Sequence, residues 1–378
     1  MVDRVSFEER YCSDGQHKIG IATLDNATSL NALTLTMLKQ LNEQLKAWED
    51  DAHLVCVFMQ GAGERAFCAG GDVRTMHNVM RDKTKQETQD FCTEFFTVEY
   101  ECDYRIHTYS KPIIGWGDGI VMGGGMGLFM GTSHKIVTPA SRLAMPEINI
   151  GLYPDVGGTW FLNQLDERVG LFLGLTGASV NACDALSINM ADHFLLSEQK
   201  EDLIKTLQGT HWNKKADAHL AVTEVIEALS RQFRDNMPVS QMTLYLPTIK
   251  QICSGEDLGV MCEQILSLKG DSKWLSQAKH TLAEGSAITA HICFRQVTCC
   301  HTLSLAECFQ VELNLSVRSA LLGEFQEGVR ARLIDKDGQP NWMFNSVNTV
   351  DEKVIDELFT SLWPEGEHPL KDLGQEAE

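Results

Sequence analysis

Glu147 and Asp155 stand eight positions apart within Met145–Leu162 (MPEINIGLYPDVGGTWFL), a mostly apolar stretch punctuated by proline and glycine. A carboxylate among apolar neighbours loses hydration, so its pKa rises and it can exchange protons near neutrality. The same two acids are equally suited to capping nearby helices. Two glycine turns offer a second kind of chemistry. Gly70-Gly71 precedes a helix expected from about Asp72, and Gly123-Gly124-Gly125 precedes one expected through Met126–Met130. Peptide N–H groups at a helix N-terminus are free donors with positive potential. Two such turns facing one point would form an oxyanion hole for an acyl group, although ordinary tight turns carry the same glycines.

A third glycine segment, Gly61–Ala66 (GAGERA), loosely fits a dinucleotide fingerprint. That fingerprint needs a helix opening directly at the glycines. Here Phe67-Cys68-Ala69-Gly70-Gly71-Asp72 makes another turn first, and no GxxxxGK[ST] is present. Nucleotide-dependent redox chemistry is therefore set aside.

The elements that must position these residues alternate in type. Residues 17–25 (HKIGIATLD) read as a strand, and Thr34 caps a helix whose Leu35, Leu38, Leu41, Leu45 and Trp48 share one face. Leu54–Met59, the IIGW run after Lys111-Pro112 and His134–Pro139 read as further strands. Strand, turn and helix recur to about residue 165, which predicts α/β layering. Beyond it glycine thins and helical periodicity dominates, as in Ala218–Phe233. From Thr349 the chain holds nine acids and two bases, predicting a solvated, partly frayed end.

Composition narrows the partners. With 378 residues, 43% of them hydrophobic, there is ample chain for a buried core. Lys plus Arg is 32 against 52 Asp plus Glu, a formal net charge of −20, which disfavours nucleic acid because phosphates demand a basic stripe. An anionic small molecule held by a few local donors is still compatible. The twelve cysteines form no CxxC pair and sit mostly in apolar runs, as buried small hydrophobes in a reducing compartment would; neither they nor an HExxH motif suggests a metal. The first twenty residues mix acids and bases without an apolar run, and no stretch approaches 18 apolar residues, so a cytoplasmic location without membrane spans is expected.

Five segments together resemble the crotonase (enoyl-CoA hydratase/isomerase) superfamily, and within it the branch that hydrolyses 3-hydroxyisobutyryl-CoA. They are Ser29–Thr34 (SLNALT), Arg65–Asp72 (RAFCAGGD), Met122–Leu128 (MGGGMGL), Met145–Leu162, and Phe325–Asp337 (FQEGVRARLIDKD) with Pro340 and Trp342. The resemblance spans roughly residues 17–345. It implies an α/β fold, a right-handed spiral of repeated ββα units followed by a helical C-terminal region. The corresponding division is a core with the CoA and acyl site over 1–200, a helical region over 201–348 and an acidic tail over 349–378. It implies an oxyanion hole from the backbone N–H groups of Gly71 and Gly124, with Glu147 and Asp155 as the catalytic pair. Glu99 corresponds to an acid of the acyl pocket, for which a solvated or capping role is the bland alternative. Ala66, Ala69, Asp72 and Arg74 belong to the CoA-binding segment, and Arg65, Arg74 and Lys336 are candidate partners for its phosphates. Hydratases carry two glutamates. The first would fall at Gly127 here, whereas Asp155 stands where hydratases usually carry glycine, so the pair fits thioester hydrolysis better than hydration. The resemblance implies an acyl-CoA substrate of valine breakdown, no separate cofactor, and no nucleic-acid or membrane partner; a homo-oligomer is compatible with it. A hydratase or isomerase, or a non-catalytic CoA-binding protein, are the alternative readings. Tyr153 and Trp160 read either as pocket lining or as core.

Overall fold

Short β-branched runs separated by glycine turns build two sheets in a computed structural model that describes residues 4–231 and 234–375. The strands are β1 (Arg4–Tyr11), β2 (Lys18–Asp25), β3 (Leu54–Gly61), β4 (Ala66–Cys68), β5 (Ile113–Gly117), β6 (Ile120–Met122), β7 (His134–Val137), β8 (Arg142–Ala144) and β9 (His193–Phe194). Six of them lie in the order β1-β2-β3-β5-β7-β9, and β4-β6-β8 form a smaller sheet. Only β1 and β2 pair antiparallel in the larger sheet, with Arg4 opposite Asp25 and Tyr11 opposite Lys18. From β2 onward its neighbours are parallel.

Thr34 opens helix α1 (Leu35–Asp50), its hydroxyl accepting from Met37 N–H at 3.3 Å. The buried face is Met37, Leu38, Leu41, Leu45 and Trp48. Met37, one turn before Leu41, replaces the expected Leu35 because the first residue of a helix still lies at the rim of its packed face. Helix α2 (Val73–Asp82) is capped by Asp72, and helix α3 (Lys85–His107) follows. The second glycine turn leads into α4 (Gly124–Gly131), which takes Gly124 and Gly125 into its own first turn instead of starting after them. The expected Ala218–Phe233 helix runs Ala218–Ser230, and Phe233 lies outside the described residues.

Residue contacts gather into two units, each assembled from three stretches. The first is Met1–Gly71, Arg105–Leu143 and Val180–Ser240; the second is Asp72–Tyr104, Ala144–Ser179 and Gln241–Glu378. This interleaving does not coincide with consecutive stretches 1–200, 201–348 and 349–378. In the first unit Ile19, Ile21, Phe58, Ile114, Trp116 and Ile136 from the large sheet pack with Leu203, Leu207, Val222 and Ile226 of two helices. In the second, an aromatic row runs Phe95–Phe96–Tyr100–Phe309 with ring centroids 5.7–5.8 Å apart.

The acidic end is not a frayed tail through residue 375. Glu352–Phe359 is a helix that buries Ile355 and Leu358, and Leu370 is buried beyond it. Asn314 fixes this segment from both sides, donating to Leu358 C=O at 2.8 Å and accepting from Leu362 N–H at 2.9 Å. Three apolar anchors and a bidentate amide outweigh what the charge count alone suggests, and the acids remain on the outer face.

Candidate active site

The two glycine turns are in the first unit. Strands β4 and β6 are parallel, so the turns that follow them leave the small sheet at the same end. Gly70, at φ +121°, has the backbone of the second turn beside it: a Cβ placed there would lie 3.7 Å from Gly124 N and 3.8 Å from Gly123 Cα. A Cβ on Gly125 would collide with the Cys68 carbonyl, so only glycine lets helix α4 start this close to the first turn. Gly123 C=O accepts from Met126 N–H at 2.7 Å, which starts the helix and leaves the Gly124 N–H as one of its unpaired first-turn donors. Among the described residues neither Gly71 N–H nor Gly124 N–H donates to a protein acceptor.

The carboxylates are in the second unit. Pro146 and the αL residue Gly151 bracket a short turn, Glu147–Ile150, and the chain then reaches Asp155. Neither acid caps a helix: no side-chain cap is made at Pro146 or Gly157, so that alternative falls. Both are 4% exposed. Burial, and then the charge of Asp155, raise the Glu147 carboxyl well above the ordinary carboxylate range. Its Oε2 has no hydrogen-bond partner. Asp155 is pushed up to about 7 by burial, with the Tyr100 hydroxyl beside it pulling the other way.

Helical C-terminal segments hold this loop. Glu312, fully buried in the helix Leu305–Leu322, accepts from Gly157 N–H at Oε2 and from Thr159 N–H at Oε1, each at 2.7 Å. Burial raises the Glu312 pKa to about 8 despite these donors. Gln296 donates to Pro154 C=O at 2.8 Å, and Ser286 N–H donates to Ile148 C=O at 3.0 Å. Between Asp155 and Gly157, Val156 takes φ +53°, a left-handed conformation costly for a β-branched residue and sustained here by the clamp around it.

Tyr100 OH donates to Asp155 Oδ2 at 2.8 Å and lies 2.6 Å from Ser316 Oγ. Ser316 Oγ is in turn 2.8 Å from Tyr153 OH, which donates to Glu312 C=O at 2.6 Å. Tyr153 is thus core by burial and part of the site by its hydroxyl, while Trp160 is half-buried.

Glu99 is buried on α3, not solvated, and its Oε1 has no partner. One turn on, Asp103 is wholly buried with both carboxyl oxygens unpartnered. Burial raises both, Asp155 adding to Glu99, and Glu99, Asp155 and Glu312 adding to Asp103. Of the CoA-segment residues, Ala66 is buried and Ala69 half-buried. Asp72 is engaged locally, accepting from Thr75 N–H at 3.1 Å and from its hydroxyl at 2.6 Å. Arg65, Arg74 and Lys336 are exposed. Sequence reasoning missed Tyr100, Asp103, Glu312 and Ser316. The signal for Tyr100 and Asp103 was their place beside Glu99 on one helix; Glu312 and Ser316 carried none.

The enoyl-CoA hydratase/isomerase family model matches residues 19–359, and the chain belongs to that family. An enoyl-CoA hydratase of Rhodobacter sphaeroides has the same fold, with TM-score 0.78, 29% identity, and 94% of this chain and 97% of that one covered. A carnitinyl-CoA dehydratase of Mycobacterium thermoresistibile, also at TM-score 0.78, is 28% identical and covers 96% and 99%. The spiral of ββα units expected from the sequence agrees with these neighbours.

Similarity over nearly the whole chain extends to proteins named mitochondrial 3-hydroxyisobutyryl-CoA hydrolase. The Danio rerio protein is 35% identical over 346 residues, 91% of this chain and 88% of that one. The Homo sapiens protein is 33% identical over 360 residues, 95% and 89%. Their mitochondrial designation does not fit the expected cytoplasmic location of this chain. No helix among the described residues is long and apolar enough to cross a membrane.

Proposed function

We propose that the chain hydrolyses the thioester of 3-hydroxyisobutyryl-CoA, giving the hydroxy acid and CoA, a step of valine breakdown. The observation that carries this reading is the buried Glu147–Asp155 pair in one clamped loop, Asp155 having its pKa near 7. The relatives named as hydrolases support the same reaction. Water attacks the thioester carbon, and the carbonyl oxygen becomes an oxyanion. The N–H groups of Gly71 and Gly124 are the donors assigned to it, each worth about 3 kcal/mol of barrier. In its ionised form Glu147 takes the proton of the attacking water, or attacks the thioester itself to form an anhydride that water opens. When the C–S bond breaks, sulfur keeps the electron pair and Asp155 supplies the proton that makes the free thiol. Glu99 belongs to the acyl pocket. The segment with Ala66, Ala69, Asp72 and Arg74 takes the CoA end, and exposed Arg65, Arg74 and Lys336 are the cations assigned to its phosphates. Acceptance of the 3-hydroxypropionyl thioester as well turns on one methyl group, worth about 1–3 kcal/mol.

Hydration is the second reading, favoured by the solved neighbours named as a hydratase and a dehydratase. Against it stands Gly127, inside α4 where a hydratase would place its first glutamate.

The test is initial-rate thiol release from 3-hydroxyisobutyryl-CoA, with crotonyl-CoA followed beside it by its double-bond absorbance. Ten of the twelve cysteines are buried and Cys299 is exposed, so a substrate-free blank accounts for the protein's own thiols. Thiol release with crotonyl-CoA unchanged is the expected result. Loss of crotonyl absorbance without thiol release would establish the hydratase reading instead.

A further inference from the structure

Tyr100, Ser316 and Tyr153 connect Asp155 to a backbone carbonyl through four consecutive oxygen–oxygen contacts. In order they are Asp155 Oδ2 to Tyr100 OH at 2.8 Å, Tyr100 OH to Ser316 Oγ at 2.6 Å, Ser316 Oγ to Tyr153 OH at 2.8 Å, and Tyr153 OH to Glu312 C=O at 2.6 Å. Every one is short enough to require a proton, since two bare oxygens at that distance set lone pair against lone pair. The three hydroxyls supply three protons for four contacts. The carbonyl of Glu312 can only accept, so Tyr153 must point at it. If Tyr100 donates to an ionised Asp155, Ser316 can serve one of its two neighbours and the other contact is empty. All four are filled only when Asp155 carries a proton. Asp155 then donates to Tyr100, reversing the sense in which Tyr100 donates to the ionised carboxylate, and the order continues Tyr100 to Ser316, Ser316 to Tyr153 and Tyr153 to the carbonyl.

We propose that Tyr100, Ser316 and Tyr153 are positioning residues that set the protonation state of Asp155, holding it as a carboxylic acid ready to protonate the departing sulfur. This rests on the hydrolase reading for its consequence in turnover, though the hydrogen-bond count does not. As Asp155 gives up its proton, the Tyr100 hydroxyl reverses and donates to the new carboxylate, so the developing charge is met at once. The unfilled contact left behind favours return of a proton before the next turnover. Against the chain, the Asp155 backbone N–H favours the ionised carboxyl, and among the described residues no cation adds to it. The ionisable groups facing Asp155 are Glu99, Tyr100 and Asp103 from α3, Glu147 and Tyr153 from its own loop, and Glu312 from the helix Leu305–Leu322; all are acids. Asp155 is buried with them, which favours its neutral form in the same direction.

The count predicts how shortening the chain acts. In Ser316→Ala two contacts remain, Tyr100 to Asp155 and Tyr153 to the carbonyl, and two hydroxyl protons fill them with Asp155 ionised. Tyr153→Phe likewise leaves two contacts and two protons. Both variants should therefore lower the pH at which Asp155 loses its proton, by about one unit if a single net hydrogen bond is at stake. The measurement is infrared titration of the carboxylic-acid C=O band in the full-length protein, with Asp155→Asn identifying which band belongs to Asp155. Downward movement of that midpoint in both variants is the expected result. An unmoved midpoint in either folded variant overturns the proposal, even if its activity is reduced, because loss of packing lowers the rate without moving the titration. Thiol release from 3-hydroxyisobutyryl-CoA is followed across the same pH range, and its alkaline limb should move with the band. If the band moves and no thioester is cleaved by any form, the relay stands and the hydrolase reading is what fails.

Discussion

Burial raises the pKa of both Glu147 and Asp155, but only Asp155 is tied to a hydroxyl chain, whereas one oxygen of Glu147 has no partner. An unpartnered buried carboxyl oxygen is available to a water or a thioester carbon; a carboxyl at the head of a relay is suited to giving a proton. Asp155→Asn and Glu147→Gln should each reduce turnover by about 10²–10⁴-fold. CoA affinity, measured by calorimetry, should stay near that of the unaltered protein. If Asp155 acts as the acid, its working form is the protonated one. Activity should then fall as pH rises through about 7, and Asp155→Asn should remove that limb while lowering the rate at every pH. Glu147, Asp155 and Glu99 were legible in the sequence because they are acids in apolar surroundings or match a family pattern. Tyr100, Ser316 and Tyr153 are chemically ordinary residues whose role exists only through contacts 55, 163 and 216 positions long, and no local pattern records such contacts.

At the scale of elements, the loop carrying Asp155 is fixed by one side chain more than any other. Glu312 offers two carboxylate oxygens to two backbone donors, Gly157 N–H and Thr159 N–H. Glu312→Gln keeps the shape and replaces one acceptor with an NH₂ group, so one N–H then faces another donor inside a dry site. The expected cost is about 1–3 kcal/mol in urea unfolding, with a loss of turnover that exceeds any change in KM. The capped α1 helix and the buried strands were readable because period and caps are local signals. Strand β1 was not anticipated: RVSFEERY exposes half of its side chains at a sheet edge and buries only Val5, so alternation is faint. The acidic end was misjudged for a related reason. Nine acids are conspicuous in sequence, while Ile355, Leu358 and Leu370 act only once the Leu305–Leu322 helix supplies Asn314 and an apolar face.

Over the whole molecule, Glu99, Asp103, Glu147, Asp155 and Glu312 all have folded pKa values above their unfolded ones. Such groups hold protons in the folded state that the unfolded chain has already lost. Their contribution to stability is therefore full below about pH 4 and is lost as pH rises through about 7 for Asp155 and about 8 for Glu312. Self-repulsion from the net charge of −20 grows in the same direction. Acids with lowered pKa values, such as Asp14 at about 2, lose their contribution only at the acid end. Thermal unfolding should accordingly show a higher Tm near pH 5.5 than near pH 8.5, and Asp155→Asn should flatten that difference. The clamp on the Asp155 loop has a last consequence, for how the protein is made. Gly157 and its anchor Glu312 are 155 positions apart, so at about 5–20 residues per second the ribosome takes roughly 8–30 s to deliver the second after the first. During that interval the nascent chain displays a loop of buried-type acids with nothing to fasten it. Until the far helix emerges, the Gly157 and Thr159 N–H groups therefore lack the acceptor that fixes the loop in the finished fold.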